Sequence, residues 1–276
     1  LDYYKNFENL KKSFEYFLNK TPLLGKNIVC VDDKNIKFLL KKIKKKNFLT
    51  YGFSNGANLQ CKNVKNIKMG MEFDINVNLP QKKIAIKKIN INLLGVHNVL
   101  NVVAAVAIGL LLNINIKQIK SSLSSFSGVQ RRLTIVYKSK GTIIYDDYAH
   151  HPTEIKAVLK ACRNNFKNKK IIAIFQPHRF SRITSLYQHF IKSFNDANQV
   201  IVCPVFAAGE KNKKFSLNKF CRDIILNSKT EVVQVDNKNQ IDVYLKKNLL
   251  NNEIVIAMGA GNISSWIRDI SKKLKI

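Results

Sequence analysis

Asp146-Asp147-Tyr148-Ala149-His150-His151-Pro152-Thr153-Glu154 is the stretch whose reading decides the fold. The apolar run before it, Thr142-Ile143-Ile144-Tyr145, reads as a buried strand. After it, Ile155, Val158, Leu159 and Cys162 recur at the spacing of one helix face. Pro152 suits the first turn of that helix, where its missing N–H is no loss. Two carboxylates, a phenol and two imidazoles therefore crowd onto one strand-to-helix turn. In open α/β sheets, ligands bind at the carboxyl ends of strands. A polar turn with Asp and Thr as caps is the plain alternative, and the density of ionisable groups argues against it.

The same alternation continues outward. Strands are expected near Leu133–Tyr137, Thr142–Tyr145, Lys170–Phe175, Gln199–Cys203, Glu231–Val235 and Glu253–Met258, with helices between most of them. That is the pattern of an α/β fold with a mainly parallel, doubly wound sheet. Upstream, Asp2–Leu18 reads as a helix, Asn27–Val31 and Phe48–Phe53 as strands, and Ile36, Leu39, Leu40 and Ile43 as a helix face. Val64–Leu94 alternates like antiparallel strands, as in Glu72-Phe73-Asp74-Ile75. A helix opening near Gly95 runs to about Leu112, and a second covers Ile116–Phe126. Ser124-Ser125-Phe126-Ser127-Gly128 is the small-polar stretch between the two blocks, so the expected domains are 1–124 and 125–276.

A length of 276 residues with 46% apolar content supports two cores. Leu1 in first place indicates a processed chain or a piece of a longer one. No apolar run reaches membrane-spanning length and no signal-peptide pattern opens the chain, so no membrane association is expected. Cys30, Cys61, Cys162, Cys203 and Cys221 are scattered without C-x-x-C pairs. They read as reduced residues of a cytoplasmic protein, with no metal site expected. The net charge of +29 invites a nucleic-acid reading. It is mostly Lys, spread along the chain beside abundant Asn, Ile and Phe, which is the signature of codon bias. The densest run, Lys41–Lys46, reads as the solvent face of a helix. No nucleic-acid partner is expected.

Against that Lys background, the paired arginines Arg131-Arg132 and Arg179/Arg182 stand out, because a guanidinium fork grips carboxylate or phosphate as Lys cannot. Histidines cluster likewise. His97, His150, His151 and His178 fall inside motifs, and His189 is alone on an expected helix. Gly95-Val96-His97-Asn98-Val99-Leu100-Asn101 sets two amides at i and i+3 on one helix face, suited to a purine edge, with helix capping by Asn98 as the alternative. Gln176-Pro177-His178-Arg179-Phe180-Ser181-Arg182 follows an apolar strand and gathers three basic groups for an anion. Gly259-Ala260-Gly261-Asn262-Ile263-Ser264 has Ser in the third glycine place of a dinucleotide fingerprint and reads as tight packing beside a helix N-terminus. No NAD is expected. The sequence contains no G-x-x-x-x-G-K-[ST] phosphate loop.

Together these motifs, with Phe7-Glu8-Asn9-Leu10-Lys11 and Cys30-Val31-Asp32-Asp33, resemble the Mur ligase family in its alanine-adding branch, the UDP-N-acetylmuramate–L-alanine ligases of peptidoglycan synthesis. A related ligase that recycles murein tripeptide shares Asp-Asp-aromatic-Ala-His-His-Pro, and Gln176-Pro177-His178-Arg179 favours the alanine-adding branch. The resemblance implies the second part of a central ATPase domain followed by a Rossmann-like C-terminal domain. It implies that the N-terminal UDP-binding domain, the phosphate loop and the magnesium ligands lie outside this sequence, on the same or a separate N-terminal ligase chain. The implied reaction activates the muramate carboxylate with ATP and Mg2+ to an acyl phosphate, which the alanine amine attacks. The implied ATP-binding residues are His97, Asn98, Asn101, Arg132 and Asp147. Tyr148, His150, His151, His178, Arg179 and Arg182 are implied to seat alanine. Arg132, Asp147 and His178 carry the implied catalytic roles, the first two on domain closure. The chain alone is expected to be inactive, and a non-catalytic remnant is the alternative.

Overall fold

The computed structural model describes residues 4–43, 47–211 and 214–274. The chain divides after Phe126 into two compact units. The first contains α1 (Phe7–Asn19), β1 (Asn27–Cys30), α2 (Lys34–Lys42), β2 (Phe48–Gly52), β3 (Leu59–Ile67), β4 (Gly70–Leu79), β5 (Lys82–Ile91), α3 (Val96–Leu111) and α4 (Ile116–Ser125). Its sheet runs β1-β2-β3-β4-β5. β1, β2 and β3 are parallel, while β4 and β5 complete an antiparallel meander, as the alternation in Val64–Leu94 predicted.

Val99, Val102, Val103 and Val106 recur at helical spacing on α3 and bury against Leu59, Phe73, Ile75 and Ile89 of the sheet. Asp74 is a buried carboxylate in this sheet. Both ladders that flank it are irregular, and Asn63 and Lys88 there take left-handed backbone. The Asp74 carboxylate accepts from Asn63 Nδ2 at 2.7 Å, Lys88 N at 2.8 Å and Lys87 Nζ at 3.2 Å. Those donors hold it down to about 2. One carboxylate thus ties two β-bulges together.

The second unit contains β6 (Thr134–Ser139), β7 (Thr142–Asp147), α5 (Pro152–Asn165), β8 (Lys170–Phe175), α6 (Phe180–Ser185), α7 (Tyr187–Phe190), β9 (Gln199–Val202), α8 (Leu217–Ser228), β10 (Glu231–Gln234), α9 (Lys238–Asn248), β11 (Glu253–Met258) and α10 (Ile263–Lys273). The sheet order is β10-β9-β8-β11-β7-β6, parallel throughout except for β6 against β7. The last strand therefore inserts between β7 and β8. Its end residue Met258 pairs with both Asp147 and Phe175, and Phe175 pairs with Val202. The carboxyl ends of β7, β11, β8 and β9 stand side by side, and the motif loops leave from that edge.

Several boundaries differ from the sequence reading: β7 runs on to Asp147, so both carboxylates lie on the strand, and three further cases have local causes. The first helix starts at Phe7, because Asn6 takes extended backbone and accepts from Asn9 N; Asp2 and Tyr3 lie outside the described residues. Ser124 and Ser125 belong to the last turn of α4, with their hydroxyls bonded back to the carbonyls of Ser121 and Ser122, so the break comes after Phe126 rather than at 124. In the basic run, Lys41 and Lys42 end α2, while Lys44, Lys45 and Lys46 lie outside the described residues.

Candidate active site

β7 delivers Asp146 and Asp147 to opposite faces of the sheet, as strand pleating requires. Asp146 is buried against α10, where Ser264 Oγ (2.7 Å) and Arg268 Nη2 (2.8 Å) reach its Oδ2. Asp147 is 1% exposed, and both its oxygens are occupied. Oδ1 accepts Ala149 N at 2.8 Å and Oδ2 accepts Leu133 N at 2.7 Å. Burial pushes its carboxyl up, against those two N–H donors and the charge of Arg132. In this geometry Asp147 holds the loops that carry Arg132 and Tyr148.

The two adjacent arginines part company. Arg131 takes left-handed backbone, donates from Nη2 to Gly259 O at 2.6 Å and lays its guanidinium 4.5 Å from the Tyr148 ring centroid. Arg132 is exposed, with Glu154 Oε1 3.7 Å from its Nη1. Glu154 is the hub of the turn. Its Oε2 accepts His150 N at 3.1 Å and His151 N at 3.2 Å, completing a capping box at the start of α5.

The rings form a row across the sheet edge. Tyr148 meets His150 edge-on at 5.0 Å, His150 lies 6.1 Å from His178, and His178 stacks on Phe206 at 5.4 Å. Three imidazoles have their tautomers set by neighbours that can only donate or only accept. His150 Nδ1 lies 2.8 Å from Tyr148 O, a carbonyl, so that nitrogen carries the proton. Arg182 Nη1 lies 3.1 Å from His178 Nδ1, and a guanidinium has no lone pair to offer, so that nitrogen is bare. His151 Nδ1 accepts Thr153 N at 3.3 Å and is bare too. Burial, then the Arg182 charge, pushes His178 below the ordinary imidazole range; burial does the same to His151.

Arg179 is paired with a carboxylate. Its Nε donates to Glu210 Oε1 at 2.8 Å, and the same carboxylate accepts Ser181 Oγ at 2.6 Å and Ser181 N at 3.0 Å. The Ser181 donors and Arg179 hold Glu210 down to about 2. The glycine-rich turn is packing, as its sequence suggested. A Cβ on Gly261 would stand 2.5 Å from Gln176 Oε1 and 2.6 Å from Phe206 Cγ. Gln176 Oε1 accepts Ile263 N at 3.0 Å, so the first N–H of α10 is already satisfied.

In the first unit, Gly95 rather than Asn98 forms the N-cap of α3, with φ 92. Asn98 Nδ2 donates back to Leu94 O at 2.9 Å, and Asn101 Nδ2 lies 3.4 Å from Asn98 Oδ1. The two amides share one face, beside half-buried His97. Sequence reasoning marked Arg131 only as half of an arginine pair, and gave no role to Glu154 or Phe206. The Glu154 signal was present, three residues beyond the cap; Phe206 carried none. Among the described residues, no three His, Cys, Asp or Glu side chains converge to hold a metal ion, so no magnesium ligand set is assigned. No helix of the described residues is long and apolar enough to cross a membrane.

Two family models match the chain: "Mur ligase middle domain" over residues 1–109 and "Mur ligase, glutamate ligase domain" over residues 131–261. The UDP-N-acetylmuramate–L-alanine ligase of Pelagibacter ubique is 44% identical over 98% of this chain and 59% of its own length. That of Rickettsia felis is 36% identical over 99% of this chain and 59% of its own. The chain thus spans about three fifths of the length of the curated relatives it matches. In fold it is similar to the crystal structure of the UDP-N-acetylmuramate–alanine ligase of Thermotoga maritima, with TM-score 0.76 at 22% identity, over 98% of this chain and 56% of that one.

Proposed function

We propose that this chain, which belongs to the Mur ligase family and carries its middle and glutamate-ligase domains, is part of a cytoplasmic, ATP-dependent ligase that joins L-alanine to UDP-N-acetylmuramate in peptidoglycan synthesis. The observation that carries the reading is the meeting of Tyr148, His150, His178 and Arg182 at the carboxyl edge of the second sheet. A guanidinium fork and a neutral imidazole N–H suit the carboxylate of a small amino acid. Tyr148, His150 and His151 shape the space around it.

In the proposed reaction, ATP converts the muramate carboxylate to an acyl phosphate, and the alanine amine displaces phosphate. Asn98 and Asn101 offer amide edges to adenine, beside His97. Arg132 brings a positive charge to the phosphates, where positioning and charge supply most of the rate in phosphoryl transfer. Asp147 contributes by holding the Arg132 and Tyr148 loops. Arg179, engaged with Glu210, supports the alanine pocket from behind. The 276-residue chain contains no G-x-x-x-x-G-K-[ST], so by itself it forms no acyl phosphate.

The test uses the complete gene product that carries this sequence. Phosphate release should depend on UDP-N-acetylmuramate, ATP and L-alanine together. Arg182→Ala should raise KM for alanine by about 10²-fold, the scale of a lost hydrogen bond to a charged group, with KM for ATP unmoved. An effect on ATP alone would remove Arg182 from the amino-acid pocket.

A further inference from the structure

We infer that His150 is the general base of the proposed ligation, accepting the amine proton at Nε2 while His178 and His151 serve as hydrogen-bond donors. The inference rests on the ligase reading above and assigns a step that reading leaves open. It follows from which groups stand behind each ring. His150 Nδ1–H points at Tyr148 O at 2.8 Å, with Glu154 Oε2 3.6 Å from the same nitrogen. Its Nε2 therefore carries the lone pair, and a carboxylate stands ready to stabilise the imidazolium formed on proton uptake. The Tyr148 carbonyl fixes the ring, and the half-buried Glu154 carboxylate supplies a nearby negative charge to a base that must take up a proton.

His178 has the opposite backing. Arg182 donates to its Nδ1 at 3.1 Å, so Nε2 carries the hydrogen and has no lone pair to offer. A proton could be added only at Nδ1, where it would face the guanidinium. His151 spends its Nδ1 lone pair on the α5 cap, and its Nε2 also carries hydrogen. The charged and titratable groups around His150 are Glu154, Tyr148, His151 and His178, with Arg132 beyond Glu154 and Arg182 beyond His178. Of the three imidazoles in the turn and its neighbour loop, His150 alone combines a free lone pair on Nε2 with an acidic partner.

The step balances as follows. The amine nitrogen bonds the acyl carbon as His150 Nε2 takes one of its protons. The carbon–oxygen bond to phosphate breaks, and its electron pair leaves on the phosphate. The imidazolium returns its proton to that phosphate. Glu154 is a positioning residue here: it holds the His150 and His151 backbone N–H groups, and its charge steadies the imidazolium.

The experiment compares His150→Gln, His178→Gln and Glu154→Gln in the complete gene product. Three readouts are taken: kcat against pH, KM for alanine, and acyl phosphate trapped as hydroxamate from UDP-N-acetylmuramate and ATP without alanine. The base must be unprotonated to act, so wild-type kcat should rise with pH to a plateau. His150→Gln should keep acyl-phosphate formation, lose about 10²–10³-fold in kcat and lose the plateau. His150→Ala should be partly rescued by added imidazole. Glu154→Gln should move the rise to lower pH, because the imidazolium loses its partner charge. His178→Gln should raise KM for alanine and leave the pH profile in place. The inference is overturned if His150→Gln keeps its plateau with kcat within a few-fold, if it loses acyl-phosphate formation along with kcat, or if the plateau is lost in His178→Gln instead. Wild-type protein that traps no hydroxamate would sink the ligase reading itself, a separate outcome.

Discussion

Gln176→Met isolates the packing that joins the loops of β8 and β11. Gln176 is 2% exposed; its Nε2 donates to Asn262 Oδ1 at 2.6 Å and its Oε1 accepts Ile263 N at 3.0 Å. Met has nearly the same length and volume, so little cavity opens. Two neutral hydrogen bonds are lost at about 1 kcal/mol each, and the Ile263 N–H, beside a fully buried side chain, is left without its acceptor. An orphaned buried donor adds about 1–2 kcal/mol, giving roughly 3 kcal/mol in all. For a unit of this size that lowers Tm by about 6–12 °C. The sequence has one tryptophan, Trp266, which lies on α10 and packs against the second-unit core. Its fluorescence therefore reads unfolding of the affected unit. Urea titration of wild type and variant should show the Trp266 midpoint falling with an unchanged slope. A loss under about 1 kcal/mol would refute the view that Gln176 satisfies the first N–H of α10 and fastens the glycine turn.

Gly261→Ala should cost at least about 2 kcal/mol, because its Cβ would stand 2.5 Å from Gln176 Oε1 and 2.6 Å from Phe206 Cγ; Trp266 fluorescence again reads it. Asp74→Ala should destabilise the first unit by about 3 kcal/mol, since it strips the acceptor from Asn63 and from the Lys88 N–H. The pH dependence has a definite sign. The folded carboxyl is held at about 2 against the ordinary 3.8, so its contribution is full above 3.8 and is lost as pH falls toward 2. The wild-type advantage over the variant, measured by circular dichroism in urea, should shrink across that window. Arg131→Met should lower the Trp266 midpoint by about 2 kcal/mol through loss of a hydrogen bond to Gly259 O and of the Tyr148 stack. Arg132→Met should leave the midpoint within about 0.5 kcal/mol, as exposed ion pairs contribute little, and should instead weaken ATP in the complete gene product.

Much of the fold was legible because its signals are local. Lys170–Phe175 and Glu253–Met258 are strands at the expected bounds, since an apolar run closed by a loop motif carries its own start and stop. Pro152 opens α5 as expected. The offset at Ser124 came from serines, whose hydroxyls can end a loop or bond back into a helix; only the Ser121 and Ser122 carbonyls decide which.

The composition and motifs alone determined that the second unit is a wound α/β sheet and that Tyr148, His150, His178 and Arg182 leave from strand ends. Strand period, turn residues and residue type are written within a few positions of one another. The tertiary structure alone decided that β11 enters between β7 and β8, which sets Gly259 against Arg131, 128 positions away in sequence. It also decided which of two adjacent arginines is committed to packing, and which histidine keeps a lone pair on Nε2. Those outcomes depend on a carbonyl, a carboxylate or a guanidinium arriving from another segment. A hydrogen-bond partner is a property of three-dimensional neighbours, and an isolated imidazole carries no mark of the tautomer its neighbours will impose.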